Sequence, residues 1–159
     1  LWQYVFDGTI DTIGSDHGPY TDEEKTQQGD FWKELCGFGG YDALLAGLLT
    51  EGVHRRGLSL PTLSKITASN VAEIMHLAPK KGSLMPGCDA DILVVDLNRE
   101  WTFDGTRSFS KTKSIHNIYH GMQMKGKVLQ TYVRGQLVYD EGKFFVQEGY
   151  GKYIPRQHV

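Results

Sequence analysis

The chain has 159 residues, of which 40% are hydrophobic and 23% are charged, as is typical of a soluble globular protein of one domain. Its formal net charge of -2 gives no broad positive field, so we expect neither nucleic acid nor a membrane surface as a partner. No apolar run approaches the ~20 residues of a membrane-spanning helix. The start of the chain has neither a signal peptide nor a methionine, and we expect it to lie inside a longer protein.

Cysteine usage is sparse. Cys36 and Cys88 are the two cysteines, and they do not form a C-x-x-C pair. Neither a disulfide framework nor a thiolate metal site is indicated. The reducing cytoplasm is therefore the simplest expected location.

The first predicted element is a short strand. Residues 10–13 (IDTI) are rich in residues that strands favour, and Gly14 lets the end of the strand approach other backbone. Asp16 and His17 then fall at the C-terminal edge of this strand, where a (β/α)8 barrel places its catalytic residues. These residues alone leave two interpretations open. Either they belong to a reaction site, or Asp16 caps the next turn while His17 pairs with local backbone.

Three helices are predicted next. Leucines at helical spacing in YDALLAGLLTEGV predict a helix over residues 41–53 with one face in the core. Ser59 is expected to cap a second helix, which begins at the nearby proline. Asn70 and Glu73 have the spacing of a capping box and predict the start of a third helix, which Pro79 stops.

The sequence pattern changes after residue 80. GCDADILVVDLN predicts a strand, and residues 98–125 are expected to be irregular. Residues 126–146 then alternate as in a β-meander, with turns at Arg134-Gly135 and Glu141-Gly142. The best internal boundary lies between the helical and the β-rich parts, near residues 80 to 90.

Several separated segments resemble, in order, the C-terminal part of one enzyme family. They begin with LWQYVFDGTIDTIGSDHGPYT and continue with GDFWKELCGFGG, LLTEGVHRRGLSL, ASNVAEIMHLAPKKGSLMPGCDADILVVDL and YHGMQMKGKVLQTYVRGQLVYDEGK. They are similar to the cyclic amidohydrolases of the amidohydrolase superfamily, which include hydantoinase, dihydropyrimidinase and allantoinase. The resemblance implies an α/β fold: the C-terminal part of a (β/α)8 TIM barrel in residues 1–80, then strands of a small β-sandwich accessory domain in residues 81–159.

The resemblance also implies a reaction. It is the metal-dependent hydrolysis of a cyclic amide C–N bond, with two divalent cations, usually zinc. Asp16 would be a ligand of one metal ion and would carry a proton from the attacking water to the departing ring nitrogen. His17 would orient Asp16 or neighbouring backbone. Cys36 and Gly37 lie in the loop that would offer backbone groups to the substrate, although a simple glycine-rich connection is an equally open interpretation for CGFGG.

The remaining family ligands are not found in this sequence. It contains no H-x-H motif, and Asp16 is the one metal ligand that the resemblance assigns to it. We therefore expect the isolated chain to be inactive and the longer protein to be a homo-oligomeric enzyme acting on a small cyclic amide. Tyr20 stands where dihydroorotases tend to carry a histidine, which disfavours that branch. Two alternatives are a non-catalytic dihydropyrimidinase-related scaffold protein and a small self-associating α+β binding module.

Overall fold

The computed structural model describes residues 1–25, 29–110 and 112–156. The helices are α1 Trp2–Phe6, α2 Asp22–Lys25, α3 Tyr41–Gly47, α4 Leu60–Ser64 and α5 Asn70–Ile74. The strands are β1 Ile92–Thr102, β2 Gln123–Val133, β3 Gln136–Asp140 and β4 Lys143–Phe144, and they form one sheet in the order β1-β2-β3-β4. The β2/β3 and β3/β4 pairs are antiparallel, so the chain is α/β with an antiparallel sheet. Among the described helices, none combines the length and the apolarity that crossing a bilayer requires.

Two of the predicted helices are confirmed. α3 continues as a π-helical segment, Leu48–His54, which matches the predicted helix over residues 41–53. Ser59 caps α4, because its Oγ accepts the N–H of Thr62 at 3.1 Å. An N-cap of this kind satisfies one of the helix donors that have no partner within the helix.

The third predicted helix is present, since α5 begins at Asn70, but the prediction that Asn70 caps this helix was wrong. α4, the π-helical segment Lys65–Ser69 and α5 follow one another without a break, and Asn70 has helical backbone angles of φ -62° and ψ -38°. A capping residue has a non-helical backbone, so Asn70, although asparagine is a common capping residue, is not a cap here. Instead, the Asn70 side-chain amide donates to the Asp11 carbonyl at 3.0 Å.

The predicted strand over residues 10–13 is also absent, since residues 9–21 belong to no strand ladder in the described structure. The N–H groups of Ile10 and Ile13 donate to helical carbonyls instead, those of Tyr4 at 2.9 Å and Ile66 at 3.2 Å. Extended backbone becomes a strand only when a neighbouring strand pairs with it. By contrast, β1 is longer than predicted. It ends at Thr102, so the irregular stretch that was expected to begin at residue 98 begins later.

The chain forms two compact units. The first comprises Leu1–Ile13, Arg56–Asp96 and Val128–Val159, and the second comprises Gly14–Arg55 and Leu97–Lys127. Both units are assembled from segments that are distant in the sequence. The predicted division at residue 80 into a barrel end and an accessory domain stays a prediction.

Within the first unit, a charged cluster holds the turn between β2 and β3. Arg134 (φ 51°) and Gly135 (φ 79°) both have positive φ, so the predicted turn at Arg134-Gly135 is confirmed. The Arg134 N–H donates to Asp91 Oδ1 at 2.8 Å, and the Gly135 N–H donates to the Ala90 carbonyl at 2.9 Å. Lys81 pairs with Asp91 on the other side of this carboxylate.

Within the second unit, the core forms where α3 packs against the end of β1, the start of β2 and residues between these strands. Its buried members are Ala43, Ala46, Phe103 and Met124, with the partly buried rings of Trp101 and Tyr119 packed against them. Ala43 is 0% exposed, so the first turn of α3 has no freedom to shift within this packing. The start of α3 is therefore a fixed point near the segment that carries Asp16 and His17, which belongs to the same unit.

Replacing Gly135 by alanine tests the turn. A Cβ at Gly135 would lie 3.9 Å from the Ala90 Cβ, so there is space for it, but φ of +79° strains any residue that has a Cβ. We expect a loss of about 1 kcal/mol in the free energy of unfolding, measured by urea denaturation. Gly47→Ala is the control, because Gly47 lies in α3 with open space around it, and alanine there should stabilise by roughly 0.5 to 1 kcal/mol. If the two variants change the free energy of unfolding in the same direction, Gly135 does not have the role in the turn that we assign to it.

The charged cluster predicts a pH dependence. Burial raises the pKa of the Asp91 carboxyl, but hydrogen bonds from Lys81 and the Arg134 backbone outweigh burial and hold that pKa below its ordinary value. The resulting stabilisation is present above the ordinary aspartate pKa and is lost as the pH falls through the lower folded-state value. Asp91→Asn should therefore destabilise the protein at pH 7, and the difference from wild type should shrink below about pH 4. Urea denaturation across this range measures it, and a difference that stays constant would refute the role of the charge.

Candidate active site

Asp16 has an unusual backbone conformation. It is exposed, and its φ is +45°, in the left-handed region that residues other than glycine seldom occupy. Aspartate tolerates this region better than most residues, yet such backbone typically costs about 1 to 3 kcal/mol and persists only where surrounding contacts enforce it. The contacts of the next residues show where that enforcement comes from.

His17 is fixed against the start of α3. Its Nδ1 accepts the backbone N–H of Gly40 at 3.1 Å, and its ring packs edge-on to Tyr41 with the ring centroids 4.6 Å apart. Burial and then the charge of Asp42 raise the pKa of the Tyr41 hydroxyl, which therefore stays neutral. The residue that follows Asp16 is thus held by both a hydrogen bond and a ring contact.

The predicted substrate-binding residues lie in residues 36–40, called here the glycine loop. The Gly18 N–H donates to the Phe38 carbonyl at 3.0 Å, which joins this loop to the segment that carries Asp16. A Cβ at Gly37 (φ +152°) would lie 2.9 Å from the Gly18 carbonyl oxygen and 3.1 Å from the Tyr20 ring. Only glycine fits there, because both its backbone angle and the available space exclude a side chain. Cys36 is exposed and its thiol is free.

Four predicted site residues are thereby brought onto two neighbouring backbone segments. Asp16 and His17 lie on one segment, and Cys36 and Gly37 lie on the other. Lys25 donates from Nζ to the Gly37 carbonyl and holds the glycine loop at a second point. Asp16 therefore lies on a segment whose next two residues, His17 and Gly18, bond to the glycine loop.

Polar side chains from residues 105–119, to which no sequence pattern assigned a role, support the glycine loop and the start of α3. Asn117, which is 9% exposed, donates from Nδ2 to the Gly39 carbonyl at 3.0 Å and accepts the Tyr119 N–H at Oδ1, also at 3.0 Å. Ser108 donates to Asp42 Oδ2 at 2.5 Å, close to the start of α3. A sequence signal existed for Asn117, since asparagine favours turns in which its side chain bonds the backbone two residues on.

The described residues do not by themselves suit the zinc pair that the resemblance implies. Across residues 1–25, 29–110 and 112–156, no three His, Cys, Asp or Glu side chains are grouped so that they could hold a metal ion. His17 has one ring nitrogen engaged with Gly40. Structural and catalytic zinc sites need at least three protein ligands. Asp16 could supply one carboxylate, and the other ligands would have to come from elsewhere.

The sequence of this chain is similar to those of several known proteins. The chain is 35% identical over 161 residues to L-hydantoinase of Paenarthrobacter aurescens, covering 99% of this chain and 34% of that protein. It is 38% identical over 144 residues to allantoinase of Deinococcus radiodurans, covering 91% of this chain and 31% of the relative. It is 31% identical over 160 residues to dihydropyrimidinase-related protein 5 of Mus musculus, covering 98% of this chain and 27% of the relative.

The fold is also similar to that of a solved structure. The structure of L-hydantoinase from Arthrobacter aurescens superposes with a TM-score of 0.92 at 35% identity, covering 98% of this chain and 34% of that one. The chain thus spans about a third of the length of the curated relatives that it matches. The model of the amidohydrolase family matches residues 1–138. This match, together with the identities and the superposition, shows that the chain belongs to the amidohydrolase family.

Proposed function

We propose that this chain is the C-terminal third of a longer enzyme that hydrolyses the C–N bond of a small cyclic amide, of the hydantoin, dihydropyrimidine or allantoin type. In this proposal residues 1–80 are the end of a (β/α)8 barrel and residues 81–159 belong to a β-sandwich accessory domain. The similarity to L-hydantoinase and to allantoinase supports the reaction class. The observation that carries the proposal is the exposed Asp16, in left-handed backbone, directly beside the glycine loop.

Asp16 would move the proton. Its carboxylate accepts a proton from the water as the water oxygen attacks the ring carbonyl carbon. The C–N bond of the tetrahedral intermediate then breaks, and the same carboxyl returns the proton to the departing nitrogen, which would otherwise be a very poor leaving group.

The glycine loop would bind the amide edge of the ring. A cyclic amide presents its N–H and its C=O on the same side, so one backbone C=O and one backbone N–H can bind both. Cys36 and Gly37 are the proposed residues, because Cys36 is exposed and the glycine at position 37 lets the loop lie directly against Gly18. The Gly37 carbonyl already accepts from Lys25, but a carbonyl oxygen has a second lone pair.

The zinc pair and the assembly belong to the longer protein. Asp16 is the one carboxylate that we assign as a ligand, and zinc bound there would polarise the ring carbonyl and activate water. We also propose a cytoplasmic homo-oligomer, without nucleic-acid or membrane partners. His17 would act by holding Asp16 and its backbone in place.

A non-catalytic scaffold role is the second candidate. It is favoured by the similarity to dihydropyrimidinase-related protein 5, at 31% identity. The carboxylate at Asp16 favours the enzyme instead, because a scaffold has no need of a strained, exposed acid at this position. Turnover of any cyclic amide by the full-length protein separates the two.

Asp16→Asn in the full-length protein tests the proton-transfer role. Asparagine keeps the shape and one oxygen donor but cannot take up the proton, so kcat should fall roughly 10²- to 10⁴-fold while KM changes much less. Zinc in excess keeps the metal site filled during the assay of hydantoin, dihydrouracil and allantoin. Asp11→Asn is the matched control, since Asp11 is also exposed and precedes the site. If Asp16→Asn stays within a fewfold of the wild-type kcat, Asp16 is only a turn residue.

Metal removal tests the ligand assignment. Chelation should abolish turnover by the full-length protein, and added zinc should restore it, because hydroxide must form at neutral pH. The 159-residue chain alone should neither bind two zinc ions tightly nor turn over these substrates, since its described residues offer no group of three ligands. Chelator-sensitive turnover by the isolated chain would refute the proposed division of the ligands.

A further inference from the structure

One peptide group in the glycine loop is bound at both ends by side chains. The carbonyl of Gly39 and the N–H of Gly40 belong to the same peptide unit. Asn117 Nδ2 donates to this carbonyl at 3.0 Å, and this N–H donates to His17 Nδ1 at 3.1 Å. The peptide therefore links a side chain near β2 to the residue next to Asp16.

The linking peptide is buried and closely surrounded by side chains. Gly39 and Gly40 are buried, and a Cβ at Gly39 would lie 3.3 Å from Thr112 Oγ1 and 3.6 Å from both Asn117 Nδ2 and His17 Cε1. The Asn117 amide has a defined orientation too, because its Oδ1 accepts the Tyr119 N–H. Because Oδ1 accepts this bond, the Nδ2 group of Asn117 is the end of the amide that faces the Gly39 carbonyl.

The Gly39–Gly40 peptide fixes the tautomer and the orientation of the His17 ring. A ring nitrogen that accepts a hydrogen bond carries no proton, so the neutral ring has its hydrogen on Nε2. Donation from Asn117 to the carbonyl polarises the peptide and strengthens its N–H as a donor to Nδ1. The ring is then held in one tautomer and one orientation, directly after a residue whose left-handed backbone needs external support.

We propose that Asn117 is a positioning residue for the reaction, acting through the Gly39–Gly40 peptide and His17 to hold the Asp16 carboxylate in place. This inference rests on the proposed function, because it assigns a role in the chemistry of Asp16. Asn117 itself touches neither the substrate nor the reacting atoms. Its effect is expected on kcat, since it orients the group that moves the proton.

Hydrogen exchange of the Gly40 amide tests the physical link without any activity. In the full-length protein, Asn117→Asp keeps the size and the bond to Tyr119 but has no donor for Gly39, so Gly40 should exchange about tenfold faster. Asn117→Ser, which keeps the turn but is too short to reach Gly39, should do the same and covers a failure of the first variant to fold. Asn70→Asp is the matched control, because it removes a like bond to a carbonyl elsewhere and should leave Gly40 unchanged. Unchanged exchange at Gly40 in both Asn117 variants overturns the proposal.

A double-mutant cycle tests the route to Asp16. Asn117→Asp alone should lower kcat about tenfold with KM within about twofold. His17→Phe keeps a ring but has no acceptor, and in that background Asn117→Asp should cost less than about twofold more. If the two losses in kcat are additive, Asn117 acts independently of His17, which would overturn the inference while the Asp16 result still supports the proposed function. Absence of turnover in the wild-type protein would overturn both, whatever the exchange data show.

Discussion

The candidate site depends on a close approach of two backbone segments. Gly18 and Gly37 meet so closely that a Cβ on Gly37 would lie 2.9 Å from the Gly18 carbonyl oxygen. This contact and the bond from Gly18 to Phe38 set the distance between the Asp16 segment and the glycine loop. Any side chain at Gly37 would force the segments apart. The lack of a side chain at Gly37 therefore fixes the distance between the two segments, as a packed side chain does elsewhere in a protein.

These two segments are supported by polar residues that lie between β1 and β2. Between β1 and β2, Ser108, Ser110, Thr112 and Asn117 are all buried although they are polar. Buried polar groups are tolerated when they are bonded, and here they bond to one another, to Asp42 and to the Gly39 carbonyl. Such bonds are directional, so they determine orientation more strictly than apolar packing would.

The sequence could predict what is decided locally. The helix over residues 41–53, the Ser59 cap and the turn at Arg134-Gly135 follow from side-chain spacing and from residues suited to capping and positive φ. The strand at residues 10–13 could not be decided locally, because a strand needs a pairing partner and helix carbonyls take its N–H groups here. Asparagine favours helix caps over helix interiors, so the residue type at Asn70 predicted a cap, and the continuity of the helix through this position overrides that preference. Asn117 was overlooked because its partner, Gly39, is distant in the sequence.

The interleaved units have a consequence for folding. Each unit closes only when segments far apart along the chain have met, and strands β1 and β2 each contribute residues to both units. Non-local closure of this kind slows folding, because chain entropy is lost before the contacts that compensate for it form. A single cut at residue 80 would divide the first unit, separating α4 and α5 from β3 and β4. Two halves produced separately should therefore each lack part of a hydrophobic core, and fragment complementation would be expected to work better than independent folding.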